Sequence, residues 1–142
     1  MKKSILLFLF TLFLSISVSA QAQTEIELIT DTINDYIEGT SFGNQDQVRK
    51  AFHPELNLYS IRNGKLNVWF GKDYINGITN GRDTGRKGKI LSIDFENDVA
   101  TAKAEIIIPG RPAPFIDYFI LAKIEGKWTI IHKAYTVKTS EE

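Results

Sequence analysis

The chain changes period once, and that change constrains its class more than any other feature. Before His53-Pro54 the apolar residues recur at spacings of three and four; from Leu56 onward they recur at every second position. The first spacing is that of a helix with one apolar stripe, the second that of a strand with one apolar face. Helices followed by a run of strands predict an α+β domain with an antiparallel sheet, not an alternating parallel one.

In the first half, Ile26, Ile29, Ile33, Tyr36 and Ile37 form the stripe of a long helix. Thr24 and Glu27 read as the capping box at its start and Gly39 as its stop. Asn44, with Gln47 three residues on, opens a shorter helix that buries Val48, Ala51 and Phe52. It ends before His53-Pro54, since a residue preceding proline avoids the helical region. In the second half, Asn63-Gly64 between residues 56–62 and 65–70 is a hairpin signal. Residues 71–78 hold one or two helical turns. Strands follow over 89–96, 99–108, 115–124 and 127–137, with turns at Asn97-Asp98 and Glu125-Gly126. Residues 109–114 contain three prolines and cannot serve a ladder.

Turn length predicts register. A two-residue turn at Glu125-Gly126 sets Lys123 opposite Trp128, Leu121 opposite Ile130, Phe119 opposite His132 and Asp117 opposite Ala134. One face then carries Asp117, Phe119, Leu121, Trp128, Ile130 and His132. The other carries Ile116, Tyr118, Ile120, Ile131, Lys133 and Tyr135. Both faces are largely apolar, so one meets the helices and the other meets something else, such as a second subunit. Around Asn97-Asp98 the same rule groups Leu91, Ile93 and Phe95 with Ala100, Ala102, Ala104 and Ile106. The small alanines leave room for a helix or a cavity.

On this register Asp117 and His132 are diagonal neighbours, roughly 7 Å apart at Cβ. They are the candidate catalytic pair, since a carboxylate beside an imidazole orients it and raises its pKa. The alternative is a polar pair closing the open end of a core. Tyr36, Phe52, Trp69, Phe95, Phe119 and Trp128 are candidates for lining a pocket for an apolar or flat ligand, or are simply core. The loop between Gly77 and Gly88 carries Arg82, Arg86 and Lys87, either as a flap that attracts an anion or as a solvated loop. His53 reads as a turn residue at a helix end.

Several chemistries lack their residues. The absence of cysteine excludes a disulfide framework, a thiolate metal site and a thiol nucleophile. No HExxH, GxxxxGK[ST] or Gly-x-Ser-x-Gly pattern occurs, so nothing points to a metal, a cofactor or a serine hydrolase. With 17 basic and 17 acidic residues, the chain lacks the surplus that nucleic-acid binding needs.

Residues 1–22 read as a signal peptide, with Lys2-Lys3, an apolar run and cleavage after Ala20 or Ala22. That run, about 15 residues, is short of the roughly 20 that span a bilayer. Residues 23–142 then form one exported domain with no membrane span, periplasmic or secreted, of net charge about −2.

Ordered stretches of the chain resemble the nuclear-transport-factor-2-like superfamily, which includes ketosteroid isomerase and polyketide cyclases, and within it the "putative lumazine-binding" family. The carrying residues are Asp35-Tyr36-Ile37-Glu38-Gly39, Ala51-Phe52-His53-Pro54, Asn63-Gly64-Lys65-Leu66 with Val68-Trp69, and Arg86-Lys87-Gly88-Lys89-Ile90-Leu91-Ser92-Ile93-Asp94. Asp117-Tyr118-Phe119 and Gly126-Lys127-Trp128-Thr129-Ile130-Ile131-His132-Lys133 complete the series. The resemblance implies a cone-shaped, strongly curved sheet wrapped around the long helix, two shorter helices, a ligand cavity and frequent homodimers. It carries no reaction, because members range from isomerases to binding domains. Three readings follow. The first is an exported, non-catalytic small-molecule-binding domain. The second is an acid/base isomerase, dehydratase or cyclase using Asp117 and His132. The third is a dimeric assembly or interaction module.

Overall fold

Both residues of the Asn63-Gly64 and Glu125-Gly126 turns are left-handed, with φ of 51° and 72°, and of 49° and 78°. This conformation matches the twist of the strands it joins, so the hairpins form where the sequence places them. The computed structural model describes the backbone of residues 2–139 and the side chains of residue 21 and residues 23–139. The signal-peptide reading of residues 1–22, and the division of the chain there, lie outside the described side chains.

Among the described residues, three helices and six strands follow in order. They are α1 (Lys2–Ser41), α2 (Gln45–Ala51), β1 (Asn57–Arg62), β2 (Lys65–Phe70), α3 (Gly71–Asn76), β3 (Lys87–Glu96), β4 (Val99–Ile107), β5 (Phe115–Ile124) and β6 (Lys127–Val137). The strands form one curved, unclosed sheet in the order β2-β1-β6-β5-β4-β3. All neighbours are antiparallel except β1 and β6, which run parallel through Leu58↔Lys133 and Tyr59↔Ala134. Among the described residues no helix is long and apolar enough to cross a membrane.

The concave face of the sheet wraps α1. Ile29, Ile33, Tyr36 and Ile37 of the helix are buried with Ala100, Ala102 and Ala104 of β4 and with Leu121 and Ile130 of the last hairpin. The alanines admit the helix, and each large side chain buried there contributes about 1.5–3 kcal/mol. α2 begins as its sequence predicts: the Asn44 side chain accepts from the Gln47 amide at 3.0 Å.

Four details differ from the sequence reading. α1 passes through Thr24 without a break, so the capping box does not open it. The helix also passes Gly39 and ends at Ser41, with the left-handed Gly43 (φ 65°) turning the chain. Gly39 instead lets α2 approach, because a Cβ there would lie 2.6 Å from Val48 Cγ2.

The other two are bulges. Leu121 pairs with Ile130 and Ile120 with His132, so Ile131 is an extra residue in β6. Ile90 pairs with Ala104 and Ser92 with Lys103, so Leu91 is an extra residue in β3. Each bulge strengthens the local twist and reverses which residues face inward beyond it. Ile90 replaces Leu91 on the concave face, and Lys133 and Tyr135 replace His132. The predicted pairing of Phe119 with His132 and of Asp117 with Ala134 is therefore corrected to Phe119↔Lys133 and Asp117↔Tyr135.

Candidate functional site

Beyond the two bulges, the wide end of the sheet turns charged side chains toward α1. In β6, Lys133 points inward and is 3% exposed. In β3 the inward positions become Ile90 and Gly88, and the same alternation brings Arg86 to the helix. Gly88 makes that approach possible, since a Cβ there would meet Ile37 side-chain carbons at 2.6–2.9 Å. Asp117 faces the same space from β5 and is 1% exposed; Tyr36 rises from α1 and is fully buried.

These four groups form one network. Lys133 Nζ lies 2.8 Å from Asp117 Oδ1. The Tyr36 hydroxyl donates to Asp117 Oδ2 at 2.8 Å and accepts from Arg86 Nη2 at 2.6 Å. Arg86 Nη1 donates to the Tyr74 hydroxyl at 3.3 Å, and Nη2 stands 4.0 Å from Asp117 Oδ2. Aromatic rings surround it. Phe52 stacks on Tyr36 at 5.3 Å, and Lys133 Nζ lies 4.6 Å from the Tyr135 ring centroid.

Burial sets the protonation behaviour. It pushes the Lys133 ammonium down to about 8, against the attraction of Asp117. It holds the Tyr36 hydroxyl well above its ordinary value, and Asp117 adds to that, so Tyr36 stays a donor. For Arg86, burial opposes the charge, but Tyr36, Tyr74 and Asp117 together outweigh it and keep the guanidinium charged.

A cleft of about 200 Å³ opens onto this network. Its charged lining is Arg62, Arg86, Arg111 and Lys133 against Asp117, and Trp69, Tyr74, Phe115 and Tyr135 supply aromatic walls. A second cavity of about 220 Å³ lies across Trp69, Tyr74 and Arg86, and Arg82 and Thr84 line it. The loop before β3 is fastened down: the Thr84 amide donates to Ser41 O and the Gly81 amide to Gly43 O, both at 2.8 Å.

The structure distributes the sequence candidates unevenly. Asp117 sits at the centre of the network. His132 does not share its face: it lies on the outer side, stacked on Tyr59 at 4.6 Å. Of the six aromatic candidates, Trp69 lines the cleft, and Tyr36 and Phe119 pack beneath it. Phe52 lines a separate hollow with His53, Pro54 and Lys72. Phe95 and Trp128 meet edge to face at the opposite end of the sheet, 6.4 Å apart. His53 serves its turn, with Nδ1 accepting from the Glu55 amide at 3.3 Å. Sequence reasoning missed Lys133, Tyr74, Arg62 and Arg111. It placed Arg86 in a loop without its inward contacts.

Comparison with known proteins agrees with this fold. The family model described as "Putative lumazine-binding" matches residues 24–136. The chain is similar to an NTF2-like protein of unknown function from Shewanella baltica OS155, with 27% identity and a TM-score of 0.70 over 82% of this chain and 96% of that one. It shares its fold with a putative ketosteroid isomerase from Shewanella frigidimarina, at 16% identity and a TM-score of 0.58 over 77% of this chain and 94% of that one. It is also 23% identical over 105 residues to the aldolase FrzH of a Cladobotryum species, which covers 70% of this chain and 81% of that protein.

Proposed function

Because the chain belongs to the family described as "Putative lumazine-binding" and has the NTF2-like fold, we propose that it is an exported domain that binds a small molecule in the cleft above Asp117. One observation carries this reading. A carboxylate, an ammonium and a guanidinium are buried together at the floor of an aromatic-walled cleft. Removing such ions from water costs several kcal/mol each, and an apolar floor of equal volume serves stability as well or better. A polar ligand facing the network gives those charges a use. The family's description supports a small ligand.

Native mass spectrometry of the exported protein tests the reading. Retained small-molecule mass that is lost in Lys133→Met supports it; a bare protein that takes up no compound from a soaked small-molecule library sinks it. The same spectra give the amino terminus, with export predicting a cut after Ala20 or Ala22.

A second reading has its own observation. Asp117, Lys133 and Tyr36 are joined by hydrogen bonds of 2.8 Å, the arrangement of a proton-transfer site. The names of the aldolase and isomerase relatives are compatible with carbonyl chemistry. His132 has no part in it, lying across the sheet. Incubation with cyclohexanone in D2O checks this: deuterium entering next to the carbonyl, and failing to enter with Asp117→Asn, would establish catalysis.

The outer face of the sheet exposes Tyr118, Ile120, Ile131, Leu91 and Ile107. We assign it to self-association as a homodimer. Sedimentation at micromolar concentration should give twice the monomer mass, and Ile120→Lys should halve it.

A further inference from the structure

Resting on the cleft reading above, we propose that the ligand is a small aromatic carboxylate whose anionic group is seated on Arg86. The first ground is charge. Four cationic side chains line the cleft against one carboxylate. Asp117 is already engaged by Lys133 and by the Tyr36 hydroxyl. Lys133 balances the one negative charge of Asp117, so the positive charge of Arg86, whose Nη2 stands 4.0 Å from Asp117 Oδ2, and those of Arg62 and Arg111 are left over to receive an anion.

The second ground is a missing acceptor. Among the described residues, Arg86 Nε is the buried side-chain polar atom with no hydrogen-bond partner. Its two terminal nitrogens are held by Tyr74 and Tyr36. Buried donors are nearly always satisfied, so an orphan beside a cleft is a place where a ligand oxygen is expected. Arg86 itself lines both cavities.

The third ground is size and shape. The cleft holds about 200 Å³, and a cavity of roughly 150 Å³ accommodates benzene. Trp69, Tyr74, Phe115 and Tyr135 offer ring faces and edges to a flat molecule. One buried guanidinium left over from internal pairing matches a single negative charge, which favours a carboxylate over a phosphate dianion. The exposed Arg62 and Arg111 at the rim draw the anion in from solution.

Calorimetry with benzoate and with benzamide, its uncharged counterpart of the same shape, tests the proposal on the whole protein. Benzoate should bind saturably and at least about tenfold more tightly than benzamide, the contribution of a charge-assisted hydrogen bond. Arg86→Gln should abolish that preference. Should Arg86→Gln fail to fold, Arg111→Gln, at an exposed position, should weaken benzoate a few-fold and flatten its salt dependence. Equal affinity for the two probes overturns the carboxylate while leaving the cleft reading intact. Tighter binding of inorganic phosphate than of benzoate also overturns it. A preference for benzoate that survives both variants removes the assignment to Arg86. Failure of the folded protein to bind either probe at about 10 mM overturns this proposal, while the cleft reading stands or falls on the mass spectrometry above.

Discussion

The two ends of the sheet contain the same parts and use them differently. At the turn end, Glu25 of α1 holds Lys123 at 2.6 Å and the Trp128 indole at 2.7 Å. At the wide end, Asp117 holds Lys133 and Tyr36, each at 2.8 Å. Each is a carboxylate with a lysine and an aromatic donor. The first is partly exposed and balanced, and its hydrogen bonds from Lys123 and Trp128 hold the Glu25 carboxyl below its ordinary range. The second is buried at the floor of the cleft and has a further guanidinium with an unsatisfied donor. Composition alone does not tell a brace from a binding site; burial and incomplete pairing do.

Asp117→Ala should break the contrast most thoroughly, read from urea unfolding. It strands Lys133 and Arg86 in the core, and a loss of about 3–5 kcal/mol is expected.

Gly39→Ala probes the helix contact that carries Tyr36. Its Cβ would press on Val48. An overpacking loss of about 1–3 kcal/mol should exceed the gain of about 1 kcal/mol in helix propensity, lowering the thermal midpoint.

The Lys133 amine should titrate near pH 8, followed by NMR of lysine carbons. Lys133 is depressed in the folded chain and ordinary, 10.5, in the unfolded one. Between about pH 8 and 10.5 the unfolded chain therefore binds more protons, and this group makes stability rise with pH. Lys133→Met should remove that rise. Asp117→Asn should pull the midpoint lower still, since Asp117 is what holds it up.

Lys123→Met, at the turn end, should give the smallest shift in midpoint and leave ligand uptake unchanged. A large loss there would erase the distinction between the two ends.

The same boundary separates what the sequence discloses from what it hides. Asn63-Gly64 and Glu125-Gly126 announce their turns, and alternation outward from a turn is correct as far as the first irregularity. Leu121, Ile130 and Trp128 are placed correctly, as are Ala100, Ala102 and Phe95. Ile131 and Leu91 are ordinary strand residues, and nothing in their type marks them as bulged. The error of one position therefore falls on every residue beyond them. It exchanged His132 for Lys133 and concealed Arg86. The α1 stripe was legible because a helix has no register to slip, so Tyr36 was found. Asp117 was found because the bulge lies in its partner strand and not in its own.

The parallel pairing of β1 with β6 has a kinetic consequence. The meander β3–β6 is made of neighbours in sequence, whereas β1 reaches β6 across more than seventy residues, through Leu58↔Lys133 and Tyr59↔Ala134. Local pairings form early, and distant ones wait for loop closure. The β1–β2 hairpin should therefore dock late in folding and detach first in native fluctuations, with its amides exchanging hydrogen faster than those of β4 and β5. Trp69 rides on that hairpin, so its detachment would uncover one wall of the cleft.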